Sequence, residues 1–190
     1  MVLYVTRHGE TDYNVQKRYT GSTDIPLNIK GVQQAENLAN KLSDIKFDII
    51  ISSPLLRAKQ TAEIINRPFN VPIVIMDEFS EINVGVYEGL TREEAQAQYP
   101  EVWGRLADFF RESGSRPLDD APPGGETVMQ FDRRVATGLA KLRAEYTESR
   151  VLLVCHGFTA RAINRQLRGL PFEDMDIFVL ANCEIVEYTV

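Results

Sequence analysis

The chain has 190 residues, of which 44% are hydrophobic and 25% charged, and its formal net charge is −6. Those values exclude wholesale disorder and fit one domain, residues 1–190, which at this size buries roughly 70% of its unfolded surface. The charge has the wrong sign for a general binder of nucleic acid or anionic membrane, and no apolar run reaches the length of about 18 residues needed to span a bilayer.

Strand and helix signals alternate along the chain. Val2 to Thr6 is an unbroken β-branched and aromatic run that stops at Arg7-His8-Gly9, as expected of a strand covered on both faces. Residues 9–30 read as a long polar loop, and loops of that length are often functional. Val32, Ala35, Leu38, Ala39 and Leu42 recur at helical spacing from Gly31 onward. Asp48 to Ser52 is the next strand. Ser53-Pro54 reads as an N-cap and first-turn proline of a helix carrying Ala58, Ala62 and Ile65. Pro72 to Met76 is a third strand.

Residues 77–125 are punctuated by glycine and proline, with weak helical stretches near 91–99 and 101–112. Asp77 to Glu101 holds seven acids and one base, Arg92. This stretch reads as a lid insertion over one end of the sheet. Glu126-Thr127 opens a long helix with Val128, Phe131, Val135, Leu139, Leu142 and Tyr146 on one face. Val151 to Cys155 is a strand ending at His156-Gly157, followed by a helix to about Arg168 and a last strand from Glu184 to Val190. The expected fold is α/β, a three-layer sandwich whose mainly parallel sheet is flanked by helices. Sites in such sheets lie at the carboxyl ends of the strands. His8, Arg57 and His156 each follow a strand by a few residues and should meet at one edge.

Both histidines of the chain, His8 and His156, follow an apolar strand, and each is followed by glycine, Gly9 and Gly157. Glycine lets a backbone or an anion approach the ring. With two histidines there is no three-histidine zinc site and no H-E-x-x-H. Phosphoryl transfer suits this set. A neutral imidazole is the nucleophile, with its second nitrogen held by an acceptor. Planar, permanently charged guanidiniums suit a phosphate better than lysine, and Arg7 and Arg57 are candidates. His156 would donate to the same oxygens while His8 attacks in line. The leaving alkoxide needs a proton from a carboxyl. Glu10, Glu78, Glu81 and Glu88 are the candidates, and spacing alone does not choose among them.

Thr6-Arg7-His8-Gly9-Glu10-Thr11 resembles the R-H-G-E-T signature of the histidine phosphatase superfamily, the phosphoglycerate mutase-like fold. The resemblance continues through Asn14, Gly21 to Leu27 with Gly31, Ser52 to Ala58 with Gln60-Thr61-Ala62, Glu81-Ile82 with Gly85 and Glu88 to Thr91, Pro123 to Thr127, and Val154 to Gly157. It covers nearly the whole chain. It implies that His8 is phosphorylated, that Arg7, Arg57 and His156 hold the phosphoryl group, and that Glu81 is the proton donor. Asn14 and Thr20 would line the pocket and Glu10 would be structural. No metal or organic cofactor is implied.

The block Gly85 to Thr91 with Tyr99-Pro100-Glu101 resembles the small phosphatase branch. Mutases of the family carry a paired-arginine block after the acid, and here that neighbourhood reads Val102-Trp103-Gly104-Arg105. Arg105, Arg111 and Arg116 are left as candidates to grip a carboxylate, against the commoner fate of facing solvent, and Trp103 reads as packing. The expectation is a metal-independent phosphomonoesterase acting on a small phosphorylated metabolite. Its alternatives are a phosphoglycerate mutase primed by bisphosphoglycerate and an inactive phosphate-binding regulatory module.

Cys155 and Arg161 also have the C-x5-R spacing of cysteine-dependent phosphatases, but no histidine precedes the cysteine, Ala162 stands where a hydroxyl is expected, and Gly157 comes one place early. G-x-S-x-G and the P-loop pattern are missing. Cys155 and Cys183 lack C-x-x-C spacing, so thiols packed in or beside strands in a reducing compartment are expected. The N-terminus has no basic stretch followed by an apolar segment and a cleavage site. A cytoplasmic protein with no nucleic-acid or membrane partner is therefore expected. A homodimer stays compatible with the sequence.

Overall fold

The computed structural model describes residues 1–106, 118–175 and 178–190. Five strands, β1 (Val2–Arg7), β2 (Ile49–Ser52), β3 (Ile73–Ile75), β4 (Arg150–Cys155) and β5 (Ile185–Thr189), form one sheet in the order β3-β2-β4-β1-β5. β1, β4, β2 and β3 pair in parallel, and β5 runs antiparallel to β1. The helices are α1 (Asp12–Val15), α2 (Ile29–Lys41), α3 (Leu56–Asn66), α4 (Arg92–Gln98), α5 (Pro100–Leu106), α6 (Val128–Glu145) and α7 (Gly157–Arg168).

The unbroken apolar runs are explained by burial on both faces. Alternate side chains point to opposite layers. Leu3, Val5, Ile49, Ile51, Val151, Leu153 and Cys155 pack with Phe131, Val135 and Leu139 of α6 and Ala160 and Ile163 of α7. Ile50, Leu152 and Val154 pack on the other side with Leu38 of α2 and Ala62 and Ile65 of α3. This is the expected three-layer arrangement. β3 lies at the sheet edge, where Val74 and Ile75 are exposed.

Three local expectations need amendment. The loop at 9–30 contains α1, which Thr11 and Asn14 start with a capping box. The Ser53-Pro54 cap is not used, because α3 begins at Leu56 with Leu55 as its uncapped N-cap residue. The Leu56 N–H instead donates to the Asp24 carboxylate at 2.5 Å. Tyr146, at the C-cap of α6, packs partly buried against the same core as the rest of that face, as expected. The helix expected at 101–112 is described as Pro100–Leu106, and residues 107–112 lie outside the described residues, as do Arg111 and Arg116. Trp103 packs in the core beside the Tyr87 ring. Among the described residues no helix is long and apolar enough to cross a membrane.

Candidate active site

The site grows out of the β2-β4-β1 ends. Each ladder runs one residue past its strand. The His8 N–H donates to the Cys155 carbonyl at 3.0 Å, and the Ser53 N–H donates to the Val154 carbonyl at 3.1 Å. Because Arg7 pairs with Cys155 in register, the next residues on β1 and β4 are the two histidines, with ring centroids 5.1 Å apart. Both are buried.

Nδ1 of His8 lies 2.7 Å from the carbonyl oxygen of Gly9. A carbonyl only accepts, so Nδ1 carries the proton and Nε2 holds the lone pair. Nε of Arg57 donates to that Nε2 at 3.3 Å. Burial, followed by the Arg57 and Arg7 guanidiniums, holds the His8 imidazole well below its ordinary value of 6.5. It is therefore a neutral base with its lone pair aimed beside a guanidinium.

Arg57 comes from the second residue of α3 and is 1% exposed. Its terminal nitrogens donate to the Thr23 and Gly21 carbonyls, both at 2.8 Å. With Nε on His8, three of the five N–H donors of a guanidinium are engaged, and the others remain for an anion. Burial pushes this guanidinium down to about 10, opposed mainly by Glu81, so it stays charged at neutral pH. Glu88 holds the loop that receives Arg57, accepting from Ser22 N and Oγ and from Thr23 Oγ1. Gly21 has φ of +50°, a left-handed conformation that favours glycine, and a Cβ there would crowd the Glu88 carboxylate.

Arg7 donates to the Leu180 carbonyl at 3.3 Å, while its Nε is buried without a hydrogen-bond partner among the described residues. His156 bonds Ser53 Oγ through Nε2 at 2.7 Å, and its Nδ1 is likewise buried without a partner among the described residues. Burial, with Arg57 next, holds His156 well below 6.5. Orphaned buried polar groups are uncommon and each calls for an explanation. Arg7 Nε and His156 Nδ1 belong to side chains at adjoining strand ends. An anion is the kind of acceptor that each of these donors lacks.

Of the four candidate acids, one reaches the cavity. Glu10 turns to Asn28 and Lys30, and Glu78 pairs with Lys141, contacts that hold both carboxyls below their ordinary range. Glu88 is spent on the 21–23 loop. Glu81 accepts from the Phe158 and Thr159 N–H groups at 3.0 and 3.1 Å, at the N-terminus of α7, and from Thr159 Oγ1 at 3.3 Å. Its loop is strapped from behind by Arg134, which pairs with Glu126 and donates to the carbonyls of Asp77, Glu78, Ser80 and Glu81.

Arg7, His8, Asn14, Thr20, Arg57 and Glu81 line one cavity of about 310 Å³, walled further by Tyr19, Ile82, Val84 and Phe158. His156 stands behind its wall, fully buried. Gly157 faces a smaller adjoining cavity with Arg7 and Glu81, and a Cβ there would lie 3.6 Å from the Arg7 guanidinium. Asn14 Oδ1 accepts from Thr11 N at 3.1 Å and from Asn182 Nδ2 at 3.4 Å, which leaves its own Nδ2 as the donor available to a ligand.

Cys155 does not form a nucleophile site with Arg161. It is fully buried in the core, where burial pushes its thiol far up, and the Arg161 guanidinium lies over the Phe158 ring. Sequence reading missed Ser53, Thr61 and Asn182. Thr61 Oγ1 accepts from Gly9 N at 3.0 Å, and Asn182 Nδ2 donates to the His8 carbonyl at 2.8 Å. Ser53 and Thr61 had available signals, a position just past β2 and a position one helical turn after Arg57. Asn182 carries no periodic signal.

A buried pair of neutral histidines flanked by guanidiniums at parallel strand ends defines a phosphoryl-handling α/β protein. The family model of the histidine phosphatase superfamily (branch 1) matches residues 3–190, and this chain belongs to that superfamily. It is 39% identical over 165 residues to a protein of Bacillus subtilis named uncharacterized phosphatase PhoE, covering 87% of this chain and 76% of the relative. It is 34% identical over 188 residues to a Shigella boydii protein named probable phosphoglycerate mutase GpmB, covering 96% of this chain and 82% of that one. The crystal structure of the alpha-ribazole phosphatase from Shigella flexneri superposes with a TM-score of 0.89 at 29% identity, covering 98% of this chain and 89% of that chain.

Proposed function

We propose that this chain is a phosphomonoesterase that works without a metal, through a phosphohistidine at His8, on a small phosphorylated metabolite in the cytoplasm. The observation that carries this reading is the buried anion hole. His8 presents a neutral Nε2 lone pair, Arg57 donates beside it, and two buried nitrogens, Arg7 Nε and His156 Nδ1, have no hydrogen-bond partner among the described residues. Family membership and a relative named as a phosphatase support it.

In the first step Nε2 of His8 attacks phosphorus, the ester P–O bond breaks, and Glu81 gives its proton to the departing alkoxide. Gly9 O steadies the Nδ1–H as the ring gains charge. In the second step Glu81 takes a proton from water, the water oxygen attacks phosphorus, and the N–P bond breaks. Phosphate leaves and the neutral imidazole returns. Arg7, Arg57, Asn14, Thr20, His156 and the Gly157 backbone hold the equatorial oxygens. The 77–125 stretch, which contributes Glu81, Ile82 and Val84 to the cavity wall, is read as its lid, within one domain spanning 1–190.

The test is release of phosphate and of p-nitrophenol from p-nitrophenyl phosphate with chelator present. Wild type should turn over and His8→Ala should not. Glu81→Gln should slow alkyl phosphates far more than the aryl ester, whose leaving group needs no proton. Equal activity in wild type and His8→Ala removes the mechanism, and equal loss on both esters removes Glu81 as the acid. The GpmB-named relative favours a second reading, a mutase. Phosphoglycerate primed with its bisphosphate would then yield isomer in place of free phosphate.

A further inference from the structure

Among the described residues His156 makes a single side-chain hydrogen bond, between Nε2 and Ser53 Oγ, and Nδ1 is its remaining polar side-chain atom. If His156 touches a phosphoryl group, it does so through Nδ1. A phosphoryl oxygen accepts, so a neutral ring serves it only with the proton on Nδ1. Ser53 is fully buried, and its Oγ already accepts from the Leu55 N–H at 3.3 Å. Among the described residues, the acceptor in reach of the Ser53 hydroxyl proton is Nε2 of His156.

We propose that Ser53 is a positioning residue: its hydroxyl donates to Nε2 of His156 and fixes the ring as the Nδ1–H tautomer, which makes Nδ1–H the donor to the bound phosphoryl group. The opposite tautomer would leave the Ser53 hydroxyl proton without an acceptor and turn a lone pair toward the anion. In the proposed one, Ser53 is satisfied and Nδ1–H is the orphan an anion completes. Burial and the neighbouring Arg57 keep the ring neutral, so one nitrogen alone carries a proton. The inference rests on the reading of His156 as a holder of the phosphoryl group. It gives Ser53 a task other than the helix cap its sequence suggests.

Two histidines make the test clean. The full chain labelled with 15N-histidine should give two ring patterns in long-range 1H–15N correlation spectra at neutral pH, assigned with His156→Gln. In wild type, His156 should show a protonated Nδ1 and a bare Nε2, and added inorganic phosphate should move the Nδ1–H signal. Ser53→Ala should mix or reverse the His156 tautomer while the His8 pattern stays, and should weaken inhibition by inorganic phosphate about ten-fold, the scale of one hydrogen bond to a charged group. Ser53→Thr, which keeps the hydroxyl, should restore both.

A protonated Nε2 in wild type overturns the proposal, as does a His156 pattern indifferent to Ser53→Ala or to phosphate. The wild-type spectrum decides even if Ser53→Ala fails to fold. Absent turnover by wild type would strike the proposed function and leave the tautomer standing, whereas a protonated Nε2 in an active enzyme strikes only this inference.

Discussion

The two His-Gly turns start from the same local sequence, an apolar parallel strand that ends in histidine and glycine, and they come to opposite arrangements. At the end of β1, His8 ties Nδ1 to a carbonyl and leaves Nε2 with a lone pair beside Arg57. At the end of β4, His156 ties Nε2 to a hydroxyl and leaves Nδ1 without a partner among the described residues. The glycines differ too. A Cβ on Gly9 would overlap the Gly31 backbone, while a Cβ on Gly157 would meet the Arg7 guanidinium at ordinary contact distance. In the proposed mechanism the first turn presents the nucleophile against a packed backbone, and the second presents a donor from a fully buried ring. What separates them is the partner of the second ring nitrogen, which the motif does not encode.

Isosteric replacements break the comparison most sharply. His8→Asn should lower turnover at least about 10⁴-fold, since the attacking atom is gone. His156→Asn should cost about 10²–10³-fold, the scale of one lost transition-state donor, and should still form a phosphoenzyme. Rapid-quench kinetics with both variants checks this. Equal losses would mean that the two turns are not divided between attack and holding.

Next in size is the glycine contrast. Gly9→Ala should destabilise by about 1–3 kcal/mol, because backbone lies where the methyl must go. Gly157→Ala should fold nearly as wild type and act on phosphate affinity instead. Urea unfolding beside phosphate inhibition separates the two effects, and a stability loss of equal size in both would erase the distinction.

The smallest effect is on acid stability. Both rings stay neutral in the fold, their values held well below 6.5 by burial first. Below that pH the unfolded chain takes up protons that the fold refuses. Stability present above pH 6.5 is therefore lost as pH falls, by about 1.4 kcal/mol per pH unit for each ring. His156→Asn should remove one proton's worth of that slope between pH 6.5 and about 5. An unchanged slope would mean that His156 titrates normally in the fold.

Most of the architecture was legible because parallel strands covered on both faces write themselves as unbroken apolar runs. The strand-end rule then carried His8, Arg57 and His156 to one edge. What the sequence hid depended on partners distant along the chain. Ser53 reads as a helix cap, yet its hydroxyl belongs to His156, 103 residues away, while Asp24 receives the Leu56 N–H. Four glutamates had equal claims until three were seen engaged by Lys30, Lys141 and the 21–23 loop. Asn182 and Arg134 gave no local signal, because each acts on a backbone carbonyl brought to it by the fold.

The most direct test of the account is to quench the enzyme during turnover of a 32P-labelled phosphate ester and locate the label on the chain. The account predicts an acid-labile, alkali-stable phosphoryl group on His8, absent from His8→Asn and longer-lived in Glu81→Gln. Label on Cys155 or on His156, or steady turnover with no labelled chain at any quench time, would contradict it.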